Sequence, residues 1–203
     1  MSASLRRGLL WGFLVAALVA VAAAALYQQV RRPEPPPVLS PVPPFSLTNR
    51  DGRTVTLRDL AGAPWVADFI FTRCPATCPM MTARMARLNR DLPADWPVRL
   101  VSFSVDPEHD TPEVLARYAE SFGAPDRWLF LTGDRQEILR LSEKGFKLGV
   151  AVELPPGTNA PEPIVHSTRF VLVDGEGRIR GYYDAFDEES MERLERDLDA
   201  LAG

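Results

Sequence analysis

Two cysteines spaced four residues apart are the part of this chain best suited to chemistry. Cys74 and Cys78 are its only cysteines, and each is followed by a proline. In a helical turn, residues four apart share one face, with their Cβ atoms about 5–6 Å apart. The two sulfurs could therefore meet on one metal ion or close a disulfide. Two thiolates form a soft donor pair, which favours Cu(I) or zinc over calcium or magnesium.

Two ligands rarely complete a metal site, so the histidines are the next residues to consider. The chain contains only His109 and His166. His166 precedes an apolar stretch that is typical of a strand and could pair near the thiols. His109 lies in a loop of proline and acidic residues, which favours surface exposure, with transient copper capture as an alternative.

The thiols lie between a predicted strand and a predicted helix. The strand is Trp65–Phe71, a short run of apolar, aromatic and branched residues. Pro79 suits the first turn of a helix, where a missing N–H costs nothing. Met81 and Met85 follow at helical spacing, and we interpret them as core residues rather than as a copper relay.

Strands and helices are predicted to alternate along the rest of the chain, with a hairpin at each end. The hairpins are expected over residues 45–58 and 167–183, further strands over 98–105, 128–131 and 150–154, and further helices over 111–122, 134–145 and 187–201. This alternation predicts an α/β fold with a mixed central sheet and an N-terminal β-hairpin. A thiol pair directly after a central strand resembles a thioredoxin fold, although three residues rather than the usual two separate these cysteines.

The N-terminal region predicts a membrane anchor and a linker. Residues 8–27 are almost entirely apolar, and about 20 such residues span a bilayer as a helix. A cleaved signal peptide is the competing interpretation. We expect residues 1–27 to be a transmembrane helix, 28–44 a proline-rich linker and 45–203 the folded domain. The protein would be a single-pass protein of a bacterial-type inner membrane, with its C-terminal domain in the periplasm or otherwise outside the cytoplasm.

Composition limits the other classes of function. The 203 residues carry a formal net charge of −4 and no block rich in lysine or arginine, which argues against nucleic-acid binding. Two cysteines are too few for a disulfide-stapled scaffold. No feature of the sequence demands more than a monomer.

Three motifs in order resemble the SCO/SenC family of thioredoxin-like copper proteins. They are the segment Phe71–Pro79 around the cysteines, the segment Val101–Glu113 with its Val-Asp-Pro-Glu-His-Asp-Thr-Pro sequence, and the segment Val165–Asp174 that begins Val-His-Ser-Thr-Arg. The resemblance covers residues 45–203 and implies a membrane-anchored protein linked to cytochrome c oxidase assembly.

The resemblance implies a copper site formed by Cys74, Cys78 and His166. It implies Cu(I) as the bound ion, with Cu(II) as a further state, and a copper acceptor such as the dinuclear centre of cytochrome c oxidase subunit two. Family members often carry an acidic residue between the cysteines and an Asp before the histidine. This chain has neither, which puts the affinity rather than the ligand set in question. We predict that serine at either cysteine, or alanine at His166, abolishes tight copper binding.

Three other interpretations of the cysteines remain open. The pair could act as a thiol–disulfide oxidoreductase that keeps an acceptor's cysteines reduced, with one thiol pKa lowered by the helix N-terminus. It could be a structural disulfide, although so small a loop gives little entropic stabilisation. Thr72 and Arg73 beside Cys74 also leave a peroxidase possible. Otherwise the sequence does not indicate an enzyme.

Three aspartates raise further questions. Asp68 interrupts the apolar strand and needs a partner if it is buried, because an unpaired buried charge is costly. Asp106 and Asp110 could orient ligands or meet a partner's basic surface. Thr111 after them is predicted to cap a helix.

Overall fold

An eight-stranded mixed sheet forms the centre of the folded unit. The structure, a computed structural model, describes residues 3–30, 34–148 and 167–202. The strands are β1 Ser40–Pro41, β2 Ser46–Asn49, β3 Thr54–Thr56, β4 Trp65–Ile70, β5 Arg99–Ser104, β6 Trp128–Thr132, β7 Arg169–Val173 and β8 Arg178–Asp184. The helices are α1 Ala3–Val30, α2 Thr77–Asp91, α3 Pro112–Ser121, α4 Arg135–Arg140 and α5 Glu188–Ala202. A short 3-10 helix, Leu57–Leu60, follows β3, and a π-helical turn, Leu141–Gly145, extends α4.

The sheet combines a parallel centre with antiparallel flanks. Its strand order is β1-β8-β7-β4-β5-β6-β2-β3. Strands β4, β5 and β6 are parallel, and the pairs at either side are antiparallel. All six residues of β4 are buried, as expected for a parallel strand covered on both faces. The predicted mixed α/β sheet and both hairpins are confirmed, whereas the strand predicted over residues 150–154 lies outside the described residues.

The chain divides into two compact units, Met1–Glu34 and Pro35–Gly203. The first contains α1, the helix for which we predicted a membrane anchor. Over the residues that the structure describes, no helix is both long and apolar enough to cross a membrane. The predicted transmembrane helix over residues 1–27 is therefore not supported.

Residues 35–44, which the sequence placed in the linker, run along the edge of the sheet in the second unit. Ser40 and Pro41 pair with β8, and the N–H groups of Leu39 and Val42 donate to the carbonyls of Ile179 in β8 and Gly177 just before it. Val42 is also 4% exposed and joins the core. Proline content indicated an extended chain correctly, but it could not show that the extended chain adds a strand to a sheet.

Local signals placed the helix starts well. Thr111 caps α3 by accepting a hydrogen bond from the N–H of Val114, and Pro112 occupies the first helical position. Asp134 caps α4 in the same way through the N–H of Glu137. Because a cap depends on residues within one turn of each other, the sequence alone was sufficient to predict both.

The core contains the predicted methionine stripe and a group of aromatic rings. Met81 and Met85 are 1% and 0% exposed, so their interpretation as core residues is confirmed. Phe69 of β4 stacks on Phe103 of β5 with ring centroids 5.0 Å apart, and Phe146 meets Phe69 edge-on at 5.3 Å. This packing fixes the parallel strands whose ends carry the functional residues.

Candidate metal and thiol site

The turn between β4 and α2 positions both cysteines. β4 ends at Ile70, and α2 begins at Thr77, so Cys78 lies in the first helical turn and Cys74 lies in the connection. The N–H of Cys74 donates to the carbonyl of Phe71 at 3.2 Å, which closes a tight turn directly before the first thiol. A buried strand and a helix therefore hold the two ends of the segment that carries the thiols.

The two cysteines are hydrogen-bonded to each other and shielded from solvent. Cys74 and Cys78 are 6% and 4% exposed, and both are free. The backbone N–H of Cys78 donates to the sulfur of Cys74 at 3.3 Å. The structure therefore shows the pair in its reduced form, with the sulfur of Cys74 accepting a hydrogen bond from the helix N-terminus.

Burial dominates the titration of the second thiol. It raises the pKa of Cys78 far above the usual range of a thiol, and Cys74 and Asp68 raise it further. For the oxidoreductase interpretation we expected the helix N-terminus to lower one thiol pKa. Cys78 is not that thiol, because burial raises its pKa and so disfavours its thiolate.

Asp68 lies within the core close to the thiols. It is 0% exposed, and among the residues that the structure describes neither of its carboxylate oxygens has a hydrogen-bond partner within normal distance. Burial raises its pKa to about 7, although the hydroxyl of Ser102, its register partner on β5, acts in the opposite direction. The sequence indicated that Asp68 would be energetically costly if it were buried without a partner, and the structure shows it buried in the core.

A second polar contact reaches the thiol helix from α3. Thr82 hydrogen-bonds the carbonyl of Cys78 at 2.9 Å and the hydroxyl of Tyr118 at 2.9 Å. Burial raises the pKa of Tyr118 as well, so its hydroxyl stays protonated at neutral pH. These two residues were not predicted, because their role depends on α2 and α3 lying together.

On the other side of the thiols, the loop after β5 binds the residues that precede Cys74. The carboxylate of Asp110 accepts hydrogen bonds from the backbone N–H of Thr72 at 3.0 Å and from its hydroxyl at 2.5 Å. Arg73 forms an ion pair with Asp106 at 2.6 Å. Both aspartates therefore act on the polypeptide next to Cys74, which is a more specific role than the sequence indicated.

These contacts weaken the peroxidase interpretation. A peroxidatic thiol requires an arginine and a hydroxyl directed at the sulfur, but Asp106 binds the guanidinium of Arg73 and Asp110 accepts the hydroxyl of Thr72. Both groups are thus bound to carboxylates of the loop after β5. In the structure the Thr72 and Arg73 side chains hold this loop, which favours a structural role for them over peroxide activation.

The structure describes the surroundings of only one of the two histidines, His109. The side chain of His109 is 42% exposed, which confirms its predicted place at the surface, and its Nδ1 lies 3.0 Å from Asp110. His109 also belongs to the one group of three potential metal ligands in the part of the chain that the structure describes, together with Asp106 and Asp110. His166 lies outside the described residues, so its place as a copper ligand stays a prediction.

The mixed sheet and the two buried thiols between a central strand and a helix define a thioredoxin-like protein. The SCO1/SenC family model matches residues 36–203. The chain therefore belongs to the SCO1/SenC family.

Solved structures agree in fold. A SCO1/SenC family lipoprotein from Bacillus anthracis is 35% identical, with a TM-score of 0.71 over 81% of this chain and 96% of that one. BsSco, described as a Sco-family cytochrome c oxidase assembly protein with a disulfide switch, is 35% identical, with a TM-score of 0.68 over 84% and 98%. Copper-bound ScoI from Bradyrhizobium japonicum is 27% identical, with a TM-score of 0.58 over 77% and 99%.

Proposed function

We propose that this protein is a copper metallochaperone that carries copper on Cys74, Cys78 and His166. The observation that carries the proposal is the pair of free, buried cysteines after β4, joined by the hydrogen bond from the N–H of Cys78 to the sulfur of Cys74, in a chain of the SCO1/SenC family. Copper bound to the similar ScoI structure supports the same cargo here. Delivery to the dinuclear copper centre of cytochrome c oxidase subunit two is the function we infer, in line with the assembly role described for BsSco.

The donor set suits Cu(I). Soft thiolates select Cu(I), and an imidazole is a good additional ligand for copper. The low exposure of both thiols keeps water and competing hard ligands away from the ion. Cu(II) is a second state that the imidazole would favour. The buried pair therefore provides tight binding, and the third ligand provides a point where exchange can begin.

The register of β7 supports His166 as that third ligand. Val173 of β7 pairs with Trp65 of β4, and Val171 pairs with Ala67. Because the two strands are antiparallel, β7 begins at the end of the sheet where β4 finishes. The thiol turn follows β4 at that same end. His166 precedes Arg169, the first residue of β7, by three positions in the sequence. A ligand so close to the start of β7 in sequence needs only a short stretch of chain to reach the cysteines.

Copper delivery then needs only ligand exchange. A thiol of the acceptor displaces the imidazole of His166, and further acceptor ligands replace Cys74 and Cys78 in turn. Copper keeps its oxidation state, and each released thiolate regains a proton. We propose that this exchange occurs outside the cytoplasm, as expected for relatives such as the Bacillus anthracis lipoprotein.

A Cu(I) titration tests the proposal. The reduced protein, titrated without oxygen against a competing chelator of known affinity, is expected to bind one Cu(I) tightly. Two buried thiolates at one site predict this stoichiometry. Binding too weak to compete with the chelator would refute the copper function.

A thiol–disulfide oxidoreductase is the second candidate, because BsSco is described as having a disulfide switch. The raised pKa of Cys78 disfavours its thiolate, so the attack on a client disulfide falls to Cys74. Cys78→Ser should then trap a mixed disulfide through Cys74, whereas Cys74→Ser should trap none. Equal trapping by the two variants, or trapping by neither, would count against this candidate.

A further inference from the structure

We propose that Thr72 and Asp110 are positioning residues, which hold Cys74 at the place that copper binding and thiol pairing require. The inference rests on the proposed copper site and concerns how that site keeps its geometry. The cysteines differ in their support, because Cys78 belongs to a helix whereas Cys74 follows an irregular connection. The position of Cys74 therefore depends on whatever fixes that connection.

The connection is a tight turn fastened at both of its central residues. The hydrogen bond from the N–H of Cys74 to the carbonyl of Phe71 encloses Thr72 and Arg73. Thr72 binds Asp110 through both its backbone N–H and its hydroxyl, and Arg73 binds Asp106. A turn held at both central residues can present the next residue, Cys74, in only a narrow range of positions.

Asp110 is a rigid anchor for this turn. It is 0% exposed and also accepts a hydrogen bond of 2.6 Å from the hydroxyl of Ser104, the last residue of β5. The same hydroxyl accepts a hydrogen bond from the N–H of Asp106. The anchor is therefore hydrogen-bonded to the end of the central sheet, and through it the thiol turn is tied to β5.

Of the two interactions that hold the turn, the hydrogen bonds of Thr72 to Asp110 are stronger than the ion pair of Arg73 with Asp106. Arg73 is largely exposed, with 59% of its side chain accessible, so water and salt weaken its ion pair. The bonds from Thr72 reach a buried carboxylate, and hydrogen bonds to charged groups are the stronger class. We therefore assign the main positioning role to Thr72 and Asp110.

A looser turn should make it less favourable for the two thiols to bind one copper ion or to form a disulfide. Both Cu(I) binding and disulfide closure depend on the effective concentration of one sulfur near the other. Loss of one hydrogen bond to a buried carboxylate is expected to reduce that concentration about ten-fold. Copper should leave faster, and the disulfide should form less favourably, by similar factors.

The test compares Thr72→Val, which removes only the hydroxyl, with Thr72→Ser, which keeps it. The first readout is the rate of Cu(I) transfer to a chelator, measured well below the unfolding temperature. The second is the equilibrium of the metal-free pair with oxidised glutathione, in which two thiols form one disulfide and two glutathione thiols are released. Thr72→Val should release copper about ten-fold faster and shift the glutathione equilibrium about ten-fold toward the dithiol. Thr72→Ser should restore both values.

Thr56→Val is the matched control, because it also removes a threonine hydroxyl that donates to an aspartate carboxylate, that of Asp59, at the start of the 3-10 helix and away from the thiol turn. A merely structural role for Thr72 predicts that both valine variants behave alike in the two readouts, and that result would overturn the proposal. Asp110→Asn is a second variant that should reproduce Thr72→Val, and unchanged behaviour in it would also refute the inference. The glutathione readout needs no copper, so a failed copper function leaves this test intact.

Discussion

Serine at either Cys74 or Cys78 is expected to lower Cu(I) affinity at least about a thousand-fold. This exceeds the roughly 10–100-fold typical of losing a partner that only orients a ligand. A hydroxyl is a hard, protonated donor that does not replace a thiolate on Cu(I). Both cysteines are nearly inaccessible to solvent. Water therefore cannot readily take the coordination position of the thiolate that was replaced. His166→Ala should likewise abolish tight binding.

The measurement is an anaerobic chelator competition with purified reduced variants. Met80→Leu is the matched control, because Met80 carries an exposed sulfur two residues from Cys78 but is not assigned to the copper site. It should bind copper as the unchanged protein does. A serine variant that retains full affinity would remove that cysteine from the ligand set, and full affinity in His166→Ala would remove the histidine.

Asp68→Asn is expected to remove a large pH dependence of stability from the reduced, metal-free protein. The pKa of Asp68 is about 7 in the folded state and near 3.9 when unfolded. Between these values the folded protein holds a proton that the unfolded chain has lost. The stabilisation that the neutral carboxyl allows is therefore present below about pH 4 and is lost as the pH rises through 7. The difference corresponds to about 4 kcal/mol.

Urea unfolding at a series of pH values measures this effect. Between pH 4 and 8, the free energy of unfolding of the unchanged protein should fall relative to that of Asp68→Asn by about this amount. Asp95→Asn, which changes an exposed carboxylate, serves as the control and should follow the unchanged protein. Parallel curves for the unchanged protein and Asp68→Asn would show that Asp68 does not titrate in this range.

The sequence predicted those parts of the fold that depend on near neighbours. The run from Trp65, the prolines around the thiols and the cap at Thr111 each act within a few residues. The order of strands across the sheet did not follow in the same way, because β4 pairs with β5 and with the distant β7. The edge strand at Ser40 also escaped prediction, since its partner is β8.

In the candidate site, too, only the features that depend on near neighbours could be predicted. The thiol pair is visible as a motif, but the anchoring of Thr72 by Asp110 joins residues that are 38 positions apart. The raised pKa of Cys78 depends on burial that only the assembled core provides. The available signals were Thr72, which lies before the cysteines, and Asp110, which lies before a helix cap. Neither indicates that the other is its partner, because they meet only through the parallel pairing of β4 and β5.

The proline-rich segment at the sheet edge also bears on self-association. An open edge strand offers unpaired N–H and C=O groups to which a second copy can add its own strand. Here β8 is covered by β1, and Pro41, Pro43 and Pro44 in and after β1 have no N–H to donate. Pairing of a second copy along this border is therefore disfavoured by the backbone itself, without any contribution from charge repulsion.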